Sequence, residues 1–96
     1  MSLDEIKRAL RGYKSVLRDK YNVNTIGVFG SYVRDEQAGE SDLDILVDFT
    51  APISIFEFID LEEEISGLLH TKVDLVSRNA LKPYIGKRIL SEVQML

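Results

Sequence analysis

The chain has 96 residues, with 12 Lys and Arg against 16 Asp and Glu, a formal net charge of −4, and 45% hydrophobic residues. This length and composition predict one globular domain over residues 1–96 and exclude a second domain. The absence of cysteine excludes a disulfide framework or a thiolate metal site and favours a reducing compartment. The longest apolar run, counting glycine, is 26–30, so we expect no membrane span and a cytoplasmic protein.

The net charge conceals three zones along the chain. Residues 1–21 carry +3, residues 22–71 carry −10 and residues 72–96 carry +3. A protein that binds nucleic acid on its own normally presents a basic face to the phosphates, so we expect no autonomous nucleic-acid binding here. An acidic middle suits divalent cations better, although a solvated acidic surface is the alternative interpretation.

Hydrophobic spacing and capping signals predict an alternation of helices and strands. Ser2 with Glu5 and Ser54 with Glu57 are capping boxes, each ahead of apolar residues at helical spacing. The expected elements are a helix over about 3–20, a turn at 22–24, a strand over 25–29, one or two helical turns over 32–36 capped by Ser31, a loop over 37–41, a strand over 43–49, a helix over about 55–69, a strand over 72–77, a helix from Pro83 and a short strand over 93–96. This order predicts an α/β domain of the two-layer α+β type, with helices over one sheet face.

The strand over 43–49 is predicted to have two distinct faces, one with Leu43, Ile45, Val47 and Phe49 and the other with Asp42, Asp44, Leu46 and Asp48. Successive strand side chains point to opposite faces, so Asp42, Asp44 and Asp48 share one face. Two carboxylates two residues apart can hold hard cations through oxygen ligands, as Mg²⁺ sites on nucleotides require. Asp42 and Asp44 are therefore candidate metal ligands, with an ordinary solvent-facing strand as the alternative, and Asp48 is expected to be a surface residue.

Two further features complete a candidate site. Gly30-Ser31 follows a strand directly, where a glycine lets a phosphate approach backbone N–H groups and the serine adds a hydroxyl donor. A plain helix cap, which uses the same N–H groups, is the alternative interpretation. Ten residues separate Ser31 from Asp42, and Asp74 lies on the next strand, where a third carboxylate would complete a two-metal site.

The arrangement of Gly30-Ser31, ten residues, Asp42-x-Asp44 and then Asp74 resembles the nucleotidyltransferase superfamily that includes DNA polymerase beta. More narrowly, it resembles the minimal nucleotidyltransferases of bacteria and archaea, over nearly the whole chain. The resemblance implies a mixed sheet with helices mainly on one face and a site for two Mg²⁺ ions. It implies that Asp42 and Asp44 ligate both ions, and that Asp74 ligates the catalytic ion and prepares the acceptor hydroxyl.

The same resemblance implies how the nucleotide is held. Gly30 and Ser31 would bind the β and γ phosphates of ATP, and Arg34 would neutralise phosphate charge. The family commonly has glycine after this arginine, whereas Asp35 stands there in this chain. That departure concerns the local turn and no metal ligand.

The function implied by the resemblance is Mg²⁺-dependent transfer of AMP from ATP to a hydroxyl, with release of pyrophosphate. Minimal members commonly accompany a HEPN-domain ribonuclease toxin and neutralise it by adding AMP to a toxin tyrosine, so we expect an antitoxin with a HEPN toxin as partner. One alternative is a non-catalytic binding antitoxin with a vestigial nucleotide site. Another is a small-molecule nucleotidyltransferase acting on an aminoglycoside-like hydroxyl, although such enzymes usually carry a further substrate domain.

Overall fold

The described part of the chain builds a mixed sheet with helices on both faces. The structure is a computed structural model that describes residues 2–35 and 42–96. Its elements in chain order are helix α1 (Leu3–Tyr21), strand β1 (Val23–Phe29), strand β2 (Leu43–Phe49), helix α2 (Ile55–Leu69), strand β3 (Val73–Ser77), a 3-10 turn (Arg78–Ala80), helix α3 (Pro83–Glu92) and strand β4 (Gln94–Met95). The strand order is β3-β2-β1-β4. β1 is antiparallel to β2 and β4, while β2 is parallel to β3, which confirms the predicted α+β fold with a mixed sheet.

The two faces of β2 are covered by different helices. Ile45 and Val47 are fully buried with residues of α1 and α2 in the main core. Leu46 points the other way and is buried with Phe29 and with Ile89 of α3. Two helices therefore pack on one face, and α3 covers part of the opposite face, immediately next to the carboxylates at the start of β2.

The chain enters β1 earlier than the sequence pattern predicts. Ser2 and Glu5 form the expected capping box of α1, which ends at Asn22 in the left-handed conformation with a φ of 58°. This one residue reverses the chain, so Val23 already pairs with Phe49 of β2. The predicted turn over 22–24 is therefore wrong in extent, because a left-handed C-cap needs a single residue.

The helix predicted over 32–36 is replaced by hydrogen-bonded turns at residues 31–35. The Gly30 carbonyl accepts hydrogen bonds from the N–H groups of Val33 at 3.1 Å and Arg34 at 3.2 Å. Asp35 then adopts a φ of 57°, which ends the helical conformation. Aspartate tolerates this left-handed conformation better than most residues, so it fits the position where the family commonly has glycine. Residue 36 and the predicted loop over 37–41 lie outside the described residues.

Basic residues of α1 make contacts inside the fold. The Lys14 Nζ donates to the Leu96 carbonyl at 2.7 Å, and the Lys7 Nζ donates to the Gln94 side chain. The Lys20 Nζ donates to the Glu64 carboxylate of α2 at 2.6 Å. These contacts fasten α1 to the C-terminal segment and to α2. Across the two described ranges, no helix has both the length and the apolar character needed to cross a bilayer.

Candidate active site

The strand topology gathers the predicted site residues at one edge of the sheet. β1 runs antiparallel to β2, so Gly30, at the end of β1, lies beside the start of β2. β3 runs parallel to β2, so both strands start at this same edge. Phe29 is paired with Asp44, and Asp44 is paired in turn with Asp74. The arrangement of three strands, rather than local sequence, thus brings these residues together.

Asp44 and Asp74 are direct neighbours across the parallel pair of strands. Adjacent strands lie about 4.8 Å apart, and residues in register direct their side chains to the same face. Asp44 is partly buried and Asp74 is exposed. Burial raises the pKa of Asp44 most, the negative charges of Asp74 and Asp42 raise it further, and the Arg34 guanidinium opposes these effects. Asp44 therefore lies where several negative charges meet, an arrangement that a cation would relieve.

Gly30 lies in contact with the Asp44 carboxylate. Gly30 has a φ of +81°, and a Cβ built on it would collide with Asp44 Oδ2 and lie 3.0 Å from Asp44 Cγ. Only glycine meets both demands, because other residues rarely adopt this φ and bring a Cβ. The backbone of the turn consequently lies next to the Asp44 carboxylate. A nucleotide that contacts both groups requires this proximity.

Asp42 directly precedes β2 and has a weak electrostatic partner. Its Oδ2 lies 3.9 Å from the Lys72 Nζ, and the two side chains are 43% and 83% exposed, respectively. An exposed ion pair at this distance contributes little to stability. The Lys72 carbonyl accepts a hydrogen bond from the Leu43 N–H at 2.9 Å, which extends the pairing of the two strands up to the carboxylates.

Ser31 begins the turn that follows Gly30 and is partly buried. Within residues 2–35 and 42–96, the structure gives its hydroxyl and N–H no hydrogen-bond partner. Both groups are therefore available to an incoming anion. Arg34, four residues after Gly30, completes the set of residues predicted to hold phosphates.

Glu92, at the end of α3, joins the site and was not predicted from the sequence. Its Oε1 accepts a hydrogen bond from the Gly30 N–H at 3.1 Å. Both of its carboxylate oxygens accept from the Arg34 Nη1, at 3.0 and 2.9 Å. No motif spacing marks this residue; the one available signal is that it and Asp74 are the two acids of residues 72–96.

The donor set fits Mg²⁺ when a nucleotide supplies the remaining ligands. In the described ranges, no group of three or more His, Cys, Asp or Glu side chains is arranged to hold a metal ion. Magnesium in nucleotide sites is typically held by one or two carboxylates together with water and substrate phosphates, rather than by an all-protein cage. The oxygens of Asp42, Asp44 and Asp74 are the hard ligands that such a site uses.

A groove at the opposite end of the sheet is separate from this site. It has a volume of about 590 Å³ and is lined by residues at and after the ends of β2 and β3, among them Phe49, Pro52, Ser77 and Asn79, and by Phe58 of α2. Its lining includes none of the three candidate carboxylates. The candidate site residues and the groove thus lie at opposite ends of the sheet.

Comparisons with known proteins agree with the fold and the motif. Residues 12–96 match the polymerase beta nucleotidyltransferase family. The protein adenylyltransferase MntA of Thermococcus cleftensis is 48% identical over 93 residues, which cover 97% of this chain and 94% of MntA. A solved structure provisionally assigned as a minimal nucleotidyltransferase has a TM-score of 0.85 and 30% identity, covering 100% of this chain and 97% of its own.

A solved toxin-antitoxin complex contains the same fold. It holds a tri-AMPylated HEPN toxin from Shewanella oneidensis with an MNT antitoxin, and the matched chain has a TM-score of 0.69 at 20% identity. The match covers 94% of this chain and 70% of that one. At this identity the similarity establishes a common fold.

Proposed function

The chain belongs to the polymerase beta nucleotidyltransferase family and is a nucleotide-using transferase, and we propose that it transfers AMP from ATP to a tyrosine of a HEPN ribonuclease toxin. In this role it acts as the antitoxin of the pair. Support comes from the 48% identity, over nearly the full length, with a protein named a protein adenylyltransferase. The shared fold with a complex that contains an AMPylated HEPN toxin and an MNT antitoxin points the same way.

The observation that carries this proposal is the register of Asp44 and Asp74 beside the Gly30 turn. In the proposed site, Asp42 and Asp44 would hold two Mg²⁺ ions, and Asp74 would hold one of them. When bound, these ions lower the pKa of the acceptor hydroxyl and stabilise the charge of the departing pyrophosphate. The Ser31 hydroxyl and N–H donate to the β and γ phosphates, and Gly30 lets the backbone come close to them.

The transfer breaks a phosphoanhydride bond of ATP and forms a phosphate ester on the acceptor. A bond forms between the acceptor oxygen and the α phosphorus, and the bond from that phosphorus to the bridging oxygen of the β phosphate breaks. The acceptor loses its proton to the carboxylate of Asp74, and pyrophosphate leaves with the electron pair of the broken bond. Arg34, whose guanidinium offers donors to phosphate oxygens, balances part of the charge of the departing group.

The position of Asp74 favours a large acceptor. β3 is an edge strand, and Asp74 is exposed on it. A hydroxyl carried on the surface of another protein can therefore approach Asp74 without entering a cavity. A small-molecule acceptor would favour a pocket, and in the described part of the chain the groove beyond the ends of β2 and β3 is not lined by Asp74.

Label transfer from α-labelled ATP with Mg²⁺ tests the proposal, using the purified chain and an extract of its source cells. We expect one labelled protein, identified by mass as a HEPN toxin with AMP on a tyrosine. Asp42→Asn and Asp44→Asn should abolish labelling. Asp48→Asn, on the same strand, is the matched control and should retain it.

Other labelling patterns would contradict the proposal in distinct ways. Labelled RNA or a labelled small molecule would preserve the enzyme class but overturn the protein acceptor. If the folded wild type labels nothing, and if the Asp44→Asn variant still neutralises the toxin, the chain is a non-catalytic binding antitoxin.

A further inference from the structure

The Glu92 carboxylate bridges the two ends of the turn that follows β1. It accepts hydrogen bonds from the backbone N–H of Gly30 and from the side chain of Arg34, four residues later. Its side chain is 22% exposed, against 40% for Arg34. The partly buried Glu92 carboxylate thus holds the more exposed Arg34 side chain.

Helix α3 holds this carboxylate in a defined position relative to β2. Ile89, one helical turn before Glu92, is buried with Phe29 and Leu46. Val93, the next residue, packs on the same cluster, and its N–H donates to the Ile89 carbonyl at 2.9 Å. Since Leu46 and Asp44 lie on the same strand, packing of α3 sets the distance between Glu92 and the candidate metal ligands.

Arg34 has a competing attraction toward these ligands. The Arg34 Nη1 and the Gly30 N–H donate to the same oxygen of Glu92, and Gly30 is in contact with the Asp44 carboxylate, so the guanidinium lies close to Asp44. A guanidinium readily forms two parallel hydrogen bonds with a carboxylate. If Arg34 paired with Asp44 in this way, it would occupy the oxygens that a metal ion needs.

We propose that Glu92 is a positioning residue that holds Arg34 and the Gly30 turn so that Asp44 stays free for metal and the guanidinium stays directed to the nucleotide phosphates. This inference rests on the proposed function. The alternative role for Glu92 is inhibition: a carboxylate that occupied the position of a nucleotide phosphate would compete with ATP. Substitution of Glu92 would weaken nucleotide binding in the first case and strengthen it in the second.

A double-mutant cycle on nucleotide binding tests the positioning role. The affinity for AMP-PNP with Mg²⁺ is measured by calorimetry for the wild type, Glu92→Gln, Arg34→Met and the double variant. We expect Glu92→Gln to weaken binding about tenfold, a coupling typical of residues in one charged network. In the Arg34→Met background the same substitution should have no further effect, because Glu92 acts through Arg34.

The cycle needs controls for charge and for folding. Glu63→Gln removes an exposed acid from α2 and should bind AMP-PNP with Mg²⁺ as the wild type does. The melting temperature without nucleotide reports any purely structural effect of each variant. If Glu92→Gln does not fold, Glu92→Asp provides the same test, because its carboxylate is one methylene too short to keep both contacts.

The outcomes separate this inference from the proposed function. Tighter binding by Glu92→Gln would overturn positioning in favour of competition, and additive effects of the two substitutions would show that Glu92 does not act through Arg34. Wild-type affinity in Glu92→Gln, with normal label transfer, would overturn the inference alone. A wild-type chain that binds no AMP-PNP with Mg²⁺ would overturn the proposed function, and the inference with it.

Discussion

The carboxylate of Asp44 occupies the space into which a side chain at Gly30 would project. The two residues belong to neighbouring strands, and Gly30 combines this contact with a φ of +81°. The turn that follows β1 and the candidate metal ligand Asp44 are therefore packed together as one unit. A change at either residue must affect the other.

Replacing Gly30 with alanine should destabilise the protein and abolish nucleotide binding. The positive φ and the collision with Asp44 together should cost about 1–3 kcal/mol, the range for strained backbone at functional sites. Urea unfolding measures the stability, and calorimetry with AMP-PNP and Mg²⁺ measures binding. Gly12→Ala is the control, since nothing lies within 4 Å of a Cβ there and alanine in a helix should stabilise by up to about 1 kcal/mol. Unchanged binding in Gly30→Ala would contradict the site.

Asp44→Asn should raise the melting temperature while abolishing AMP transfer. The substitution removes a charge that burial and the negative charges of Asp74 and Asp42 disfavour. A gain of roughly 2–5 °C is expected for a domain of this size, measured by thermal unfolding at neutral pH without Mg²⁺. Asp48→Asn on the same strand is the control and should retain transfer. A lower melting temperature for Asp44→Asn would mean that its charge is stabilising.

The stability difference between Asp44→Asn and the wild type should depend on pH with a defined sign. The pKa of Asp44 in the folded protein is raised above its ordinary value of 3.8. At pH values between the ordinary and the raised pKa, the folded state therefore binds more protons than the unfolded state. The wild type should therefore regain stability as pH falls through the raised pKa. Urea unfolding of both proteins from neutral pH to below 3.8 should show the gap closing, and a constant gap would refute the shift.

Glu64→Gln should loosen the contact between α1 and α2. The Glu64 carboxylate accepts hydrogen bonds from Lys20 at 2.6 Å, Tyr13 at 2.7 Å and Tyr21 at 2.9 Å. Glutamine keeps an acceptor but loses the charge, so the melting temperature should fall by roughly 2–5 °C, a small effect because Lys20 is half exposed. Glu63→Gln, one residue earlier and exposed, should leave it unchanged.

The contribution of Glu64 should also depend on pH. Hydrogen bonds from Lys20 and Tyr13 lower the pKa of Glu64 below its ordinary value of 4.5. A lowered carboxyl pKa stabilises the fold above pH 4.5, and this stability is lost as pH falls through the lowered value. Thermal unfolding should show the full difference between wild type and Glu64→Gln at neutral pH and a shrinking one in acid. A difference that grew in acid would contradict this sign.

ATP and Mg²⁺ together should raise the melting temperature more than either does alone. The carboxylates of Asp42, Asp44 and Asp74 repel one another until a cation enters, and Mg²⁺ needs phosphate oxygens to complete its ligands. A ligand that binds only the folded state stabilises it by RT ln(1 + [L]/Kd), where [L] is the concentration of free ligand. Thermal unfolding at saturating ATP and Mg²⁺, with and without EDTA, checks this, and Asp44→Asn should show no synergy. An unchanged wild-type melting temperature would argue against an intact site.

Much of the fold could be predicted because its signals are local. Apolar spacing and the capping boxes at Ser2 and Ser54 indicated α1 and α2, and the alternation along β2 indicated its two faces. The turn at residues 31–35 was mispredicted as a helix, since its length depends on the left-handed conformation of Asp35. A turn of five residues is too short to show a periodic pattern, so its end cannot be read from apolar spacing.

The amino-acid sequence by itself identified the candidate site residues: Gly30, Ser31, Asp42, Asp44 and Asp74 stand at spacings that resemble those of the family. Only the tertiary structure decided which of them meet. The register of β2 with β3 places Asp44 beside Asp74, and the packing of α3 on Leu46 brings Glu92 to Arg34. Such pairings join residues far apart in the chain, and their geometry follows from how apolar faces pack together, so a local pattern cannot determine them.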